Sequence, residues 1–200
     1  TALMLAAKHG NSDIVKTLLA KGANINATDR YGRTALNVSA KFTYSEIENT
    51  LKVAKAIAEL MLAVKNGDLN KVNTLLVDGG ANVNAADKTG TTALMSAVRR
   101  GDPNIVKALL GRGADINITA KGSTALEQAV QYHDQRPDNP HKTWRPGELW
   151  NVEQRLKQFS SPHPKYSEII DILLKRAKAN DQLLEAIRGG GNLEEIKALL

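Results

Sequence analysis

The chain has 200 residues, no cysteine, two Trp, 4% aromatic content and a formal net charge of +6. A hydrophobic share of 42% can bury a core, which excludes wholesale disorder. The lack of Cys removes disulfide frameworks, CxxC redox pairs, thiolate zinc sites and cysteine nucleophiles, and fits cytoplasm, periplasm and secretion alike. The longest apolar runs, such as Leu60 to Val64, fall far short of the roughly 20 residues of a membrane span. Ala (26) and Leu (24) fill a quarter of the chain, a composition suited to closely packed helices.

In chain order, Thr1 opens a helical pattern that Gly10 ends, and Ile14-Val15 with Leu18-Leu19 stripe a second helix ended by Gly22. Asp29 to Gly32 reads as the tight turn of a short hairpin. Thr34 to Lys41 forms the next first helix, and Tyr44 to Glu59 a longer second one striped by Ile47, Leu51, Ala54, Ile57 and Ala58. No hairpin follows, and the chain passes almost directly into a third pair built on Leu60 to Val64, Gly67, Val72 and Leu75-Leu76. A hairpin over Gly80 to Thr91 leads to a fourth pair, with Gly101, Ile105-Val106 and Leu109-Leu110, and another hairpin over Gly113 to Ser123. Thr124 opens a fifth pair, whose second helix holds Tyr166 to Ile169. Leu183 to Ile187 with Ile196 and Leu199-Leu200 make a sixth.

The pattern is a repeat. Thr-Ala-Leu recurs at Thr1, Thr34, Thr92 and Thr124, and Gly-Ala-Asn/Asp-Ile/Val-Asn at Gly22, Gly80 and Gly113. Each Thr is expected to cap its helix by accepting a bond from a first-turn amide. These motifs resemble the ankyrin repeat family, whose Thr-Pro-Leu-His signature appears as Thr-Ala-Leu followed by Met4, Asn37, Met95 or Glu127. Their style is similar to that of ankyrin repeats common in bacterial proteins. The resemblance implies an all-α solenoid of six helix pairs with short β-hairpin fingers, two pairs lacking the finger. The family's histidine is absent throughout, so its Thr–His hydrogen bond is expected to be missing and individual repeats weakened.

Residues 1–200 read as one repeat domain, cut from a longer chain, with duplicated halves 1–91 and 92–200. Thr1 matches Thr92 at offset 91, Thr34 matches Thr124 at offset 90, and Tyr44 matches Tyr166 at offset 122. The difference, 122 minus 90, is 32 extra residues: an irregular insert at about 133–165 within the fifth repeat. It holds Trp144, Trp150, three of four His and five of six Pro. A loop of this length is functional or disordered, and two Trp favour order.

The family's partners contact the finger tips and the end of the first helix, so the resemblance implies a protein-binding role for positions that match. The tips supply Arg30, Tyr31, Arg33, Lys88 and Lys121; the helix ends supply Lys8, His9, Lys41, Phe42, Lys65, Arg99, Arg100 and Tyr132; Trp144 and Trp150 join from the insert. Five of six helix-end pairs begin with Lys or Arg, a basic stripe that would steer an acidic protein segment. Cations in a last helical turn also answer the macrodipole, which explains the same residues without a partner.

His133, Asp134, His141 and His163 have no compact zinc spacing, no Gly-x-Ser-x-Gly elbow exists, and Gly189 to Gly191 lacks the Lys-Ser/Thr of a phosphate loop. Catalytic residues, metal ligands, cofactors, a small-molecule substrate and a membrane are therefore not expected. Interspersed acidic residues argue against nucleic acid despite a pI near 9.5. The expectation is a monomeric, non-enzymatic interaction module. The alternatives are a piece of a larger enzyme or secreted effector whose insert serves a catalytic or metal site, and a purely structural insert.

Overall fold

The structure, a computed structural model, describes residues 1–77, 81–133 and 164–188, with side chains for 1–77, 81–132 and 166–182. Nine helices run through them: α1 Ala2–Lys8, α2 Ser12–Ala20, α3 Ala35–Ser39, α4 Ser45–Asn66, α5 Leu69–Val77, α6 Ala93–Arg100, α7 Pro103–Gly111, α8 Ala125–His133 and α9 Pro164–Arg188. The described residues contain no strand and no helix long and apolar enough to cross a membrane.

Each Thr-Ala-Leu opens a helix as expected. The Oγ1 atoms of Thr1, Thr34, Thr92 and Thr124 accept from the amides of Met4, Asn37, Met95 and Glu127, each at 3.3 Å. Gly10 follows α1 with φ +73°, and a Cβ there would stand 2.7 Å from the ring of Tyr44. That position needs glycine both for its left-handed backbone and for the ring that lies on it.

The first helices α1, α3, the C-terminal half of α4, α6 and α8 pack in sequence as one layer. Of the second helices, α2 packs on α4, and α5 and α9 pack on α7. Ala6, Ala7, Ala63, Ala97 and Ala129 are buried in the first layer, where small side chains let neighbouring units close up.

The largest departure from the sequence reading is α4. The second helix of pair two and the first helix of pair three, expected as separate elements meeting at Glu59 and Leu60, form one continuous 22-residue helix. No Gly or Pro interrupts Ser45 to Asn66, so the backbone ladder runs on until Gly67 ends it at φ +76°. Ile47 and Leu51 belong to a core with Leu3, Val15 and Ile25. Leu60, Met61 and Val64 belong to a second core that extends through Leu94, Ile105 and Leu126 to Leu173. One helix thus serves both cores. Helix α9 repeats this continuity across the expected boundary of pairs five and six.

The fingers are turns rather than β-ribbons: only the isolated bridges Ala86–Thr92 and Ala120–Ser123 appear among the described residues. The last is a two-residue turn with positive φ at Lys121 (53°) and Gly122 (79°), the geometry of a type I′ hairpin. Ala120 stands where the other fingers have Asp29 and Asp87, and the turn is one residue shorter. That accounts for the 32-residue spacing of Thr92 to Thr124 against 33 for Thr1 to Thr34.

Candidate interaction surface

The fourth residue of Thr-Ala-Leu-x has taken over part of the work of the missing histidine. Asn37 Oδ1 accepts from the Thr34 amide (3.0 Å) and hydroxyl (2.8 Å). Glu127, buried at 4% exposure, does the same for Thr124 through Oε2, at 2.7 and 3.0 Å. These are capping boxes, and they hold the first turns of α3 and α8.

Each finger base carries a second device. Asn24, Asn82 and Asp115 accept through Oδ1 from the amides of Asn26, Asn84 and Asn117 at 3.0, 3.0 and 2.8 Å. Asn84 then bridges to the next unit, accepting from the Asp115 amide (2.7 Å) and donating to the Gly113 carbonyl (3.2 Å). Asn26, its counterpart, faces a unit without a finger.

At the first tip, Asp29 accepts from Arg33 Nε (2.8 Å) and from the Tyr31 and Arg33 amides (2.8 and 3.0 Å). The Arg33 side chain foremost, then these amides, lower its pKa to about 2. Tyr31, 65% exposed, lies under the guanidinium groups of Arg30 and Arg33, 4.8 and 4.9 Å from its ring centre. At the second tip, burial pushes the Asp87 pKa up, but hydrogen bonds from Thr89 and Thr91 outweigh it and the net shift is downward. Lys88 extends toward Gly22, where a Cβ would stand 3.1 Å from its Cδ.

The helix-end residues divide into occupied and open ones. His9 Nδ1 lies 2.8 Å from the Leu5 carbonyl. Arg100 donates to the Lys65 carbonyl at 2.7 Å and stands 3.8 Å from Asp102, so it closes the end of α4. Lys8, Lys41, Lys65 and Arg99 are exposed, and none forms an ion pair among the described residues. Lys8, Arg33, Lys41 and Phe42 come together around a cleft of about 330 Å³, with Leu5, Val38 and Asp29. Tyr132 is half-buried and stacks on Tyr166, centroids 5.7 Å apart. Trp144, Trp150 and the candidate metal group His133, Asp134, His141 and His163 lie outside the residues whose side chains are described. Among the described residues no group of three or more His, Asp or Glu could hold a metal ion.

Equivalent positions in the two halves make the same contacts. Phe42 stacks on Tyr44 at 6.0 Å as Tyr132 does on Tyr166. Lys16 pairs with Glu46 at 2.7 Å and Lys107 with Glu168 at 2.8 Å. The Lys16–Glu46 hydrogen bond raises the lysine pKa and lowers that of the carboxylate. Tyr166 also donates to the Arg99 carbonyl at 3.2 Å, and burial raises its pKa. The sequence reading passed over both ion pairs, although the offsets of 91 and 122 relate them too.

Stacked helix pairs joined by short turns, each pair burying its apolar stripes against its neighbours, define a repeat solenoid of the kind that binds proteins along an extended surface. The family described as "Ankyrin repeats (3 copies)" matches residues 1–57 and 60–138. The chain belongs to the ankyrin repeat family, whose repeats are protein–protein interaction modules. It is 34% identical over 144 residues to the phosphocholine transferase AnkX of Legionella pneumophila, covering 64% of this chain and 14% of that protein. It is 31% identical over 144 residues to the B-cell lymphoma 3 protein homolog of Mus musculus, covering 64% and 32%. YahD of Escherichia coli (strain K12), named as an ankyrin repeat protein, is 29% identical over 143 residues, covering 66% and 70%. The match thus spans a seventh and a third of the first two relatives.

Proposed function

We propose that this chain is a non-enzymatic recognition module that binds an acidic protein segment through its first-helix layer, its finger tips and the Trp-bearing insert. The observation that carries the reading is the row Lys8, Lys41, Lys65 and Arg99, one exposed cation at the same position of four successive first helices. Folding leaves these four without ion pairs among the described residues, whereas Arg33 and Arg100 are held by Asp29 and the Lys65 carbonyl. Macrodipole compensation needs a cation near each helix end; it does not need those cations to line up at one register. The tips add Arg30, Tyr31, Lys88 and Lys121, with Tyr31 the best source of contact energy. Affinity for a partner is expected to fall with salt and to fall by about tenfold or more on charge reversal at Lys65 and Arg99. Unchanged binding in both measurements rejects the basic face. Comparing pull-downs with and without residues 134–163 assigns the insert its part.

A second reading makes these repeats the recognition part of a larger enzyme or secreted effector. It is supported by the coverage of relatives that carry enzyme names: 14% of the Legionella phosphocholine transferase and 21% of the L-asparaginase of Dirofilaria immitis. Elemental analysis of the purified chain, with and without His141 and His163, tests the metal form of that reading. Stoichiometric metal lost on substitution supports it, and no bound metal removes it.

A further inference from the structure

We infer that the cleft between α1 and α3 seats one apolar side chain of the partner, with carboxylates flanking that side chain in the partner's sequence. The inference rests on the interaction reading above and sharpens it at one place. Leu5 and Val38 line the cleft and Phe42 rims it. Leu5 is 58% exposed and Phe42 37% exposed, so folding leaves apolar surface open there for a partner to cover.

The charges of the cleft decide what can accompany the apolar group. Arg33 is bound to Asp29 through two short contacts, Nη2 at 2.7 Å and Nε at 2.8 Å. Lys8 and Lys41 remain, exposed and without ion pairs among the described residues. Three cationic side chains against one carboxylate leave two side-chain positive charges uncompensated beside the apolar lining. A carboxylate on each side of an apolar side chain answers both lysines, whereas cationic flanks would meet them with like charge.

The corresponding place between α4 and α6 is built differently. Leu62 and Lys65 align there with Leu5 and Lys8, and Leu62 is 57% exposed. However, Ser96 stands where the first cleft has Val38, and Arg100 stands where it has Phe42. Arg100 folds back onto the Lys65 carbonyl, so this place has neither the apolar wall nor the aromatic rim.

The test is a titration of the whole methyl-labelled chain, followed by NMR, with three capped peptides: Glu-Glu-Leu-Glu-Glu, Glu-Glu-Ala-Glu-Glu and Lys-Lys-Leu-Lys-Lys. The acidic leucine peptide is expected to give saturable shifts at the Leu5 and Val38 methyls, with the other two at least about tenfold weaker. Leu5→Gln and Phe42→Ala should each weaken it by about tenfold, while Leu62→Gln leaves it unchanged. All three positions are exposed, so thermal unfolding should report folded variants. Absence of a saturable shift, equal binding of the lysine-flanked peptide, or equal loss in Leu62→Gln overturns the inference. If the peptides fail while charge reversal at Lys65 and Arg99 still lowers partner affinity, the cleft is wrong and the interaction reading stands.

Discussion

Asp29 organises the first finger through one carboxylate, and its ionisation is therefore the finger's own titration. Its folded pKa of about 2 lies below the ordinary 3.8. The contribution to stability is complete above pH 3.8 and is lost as pH falls toward 2. Carboxyl NMR should show a midpoint near 2 for Asp29, moving up toward the ordinary value in Arg33→Ala; a wild-type midpoint at the ordinary value contradicts the Arg33 pairing. Asn84 offers a second measurement. Asn84→Ala removes two bonds to the next unit and should cost about 1–2 kcal/mol in denaturant unfolding. Asn26→Ala, facing a unit without a finger, should stay within about 0.5 kcal/mol. Equal costs would reject the bridge. The Gly-Ala-Asn motif was legible as a turn, but the bridge was not, because it exists only where two fingers stand side by side. The capping role of Glu127 is legible in the sequence, since Thr-x-x-Glu is a helix-start pattern.

At the scale of elements, α4 decides how the two cores communicate. Its apolar residues are legible in the sequence, but the repeat pattern places the end of one helix at Glu59 and the start of the next at Leu60. A boundary between repeat units does not break a helix; a breaker does, and none lies between Ser45 and Asn66. Ala56, buried between the segments that serve each core, is the point to test. Ala56→Pro should cost about 3 kcal/mol or more, and amides of α1–α3 should then exchange faster than those of α6–α8. Uniform acceleration would mean that the helix does not carry the coupling. Ala56→Gly, at about 1 kcal/mol, controls for propensity without a kink.

Over the whole molecule, the sequence made the repeat, the four caps and the duplicated irregularity legible, because each is local or periodic. Residues 1–123 carry 16 basic and 10 acidic side chains, while the remainder balances 11 against 11, so the uncompensated charge belongs to the first four helix pairs. Which of those cations fold back and which stay open was not legible, since Arg100 and Arg99 are neighbours with different fates. Replacing residues 133–165 by a single Thr would give Tyr132 and Tyr166 the spacing of Phe42 and Tyr44. That variant is expected to keep its helix content and to unfold at the same or a higher midpoint, because a long closure is removed. A large fall would assign the insert a share of the core. The two stacked ring pairs carry a wider consequence. The same clasp closes over one intervening residue in the first half and over 33 in the second, so the flanking helices keep the same ring contact across very different lengths of intervening chain. Doubling such a length costs only about 0.6 kcal/mol. This makes the clasp a port, where foreign sequence is expected to be accepted while the repeats on either side keep their register.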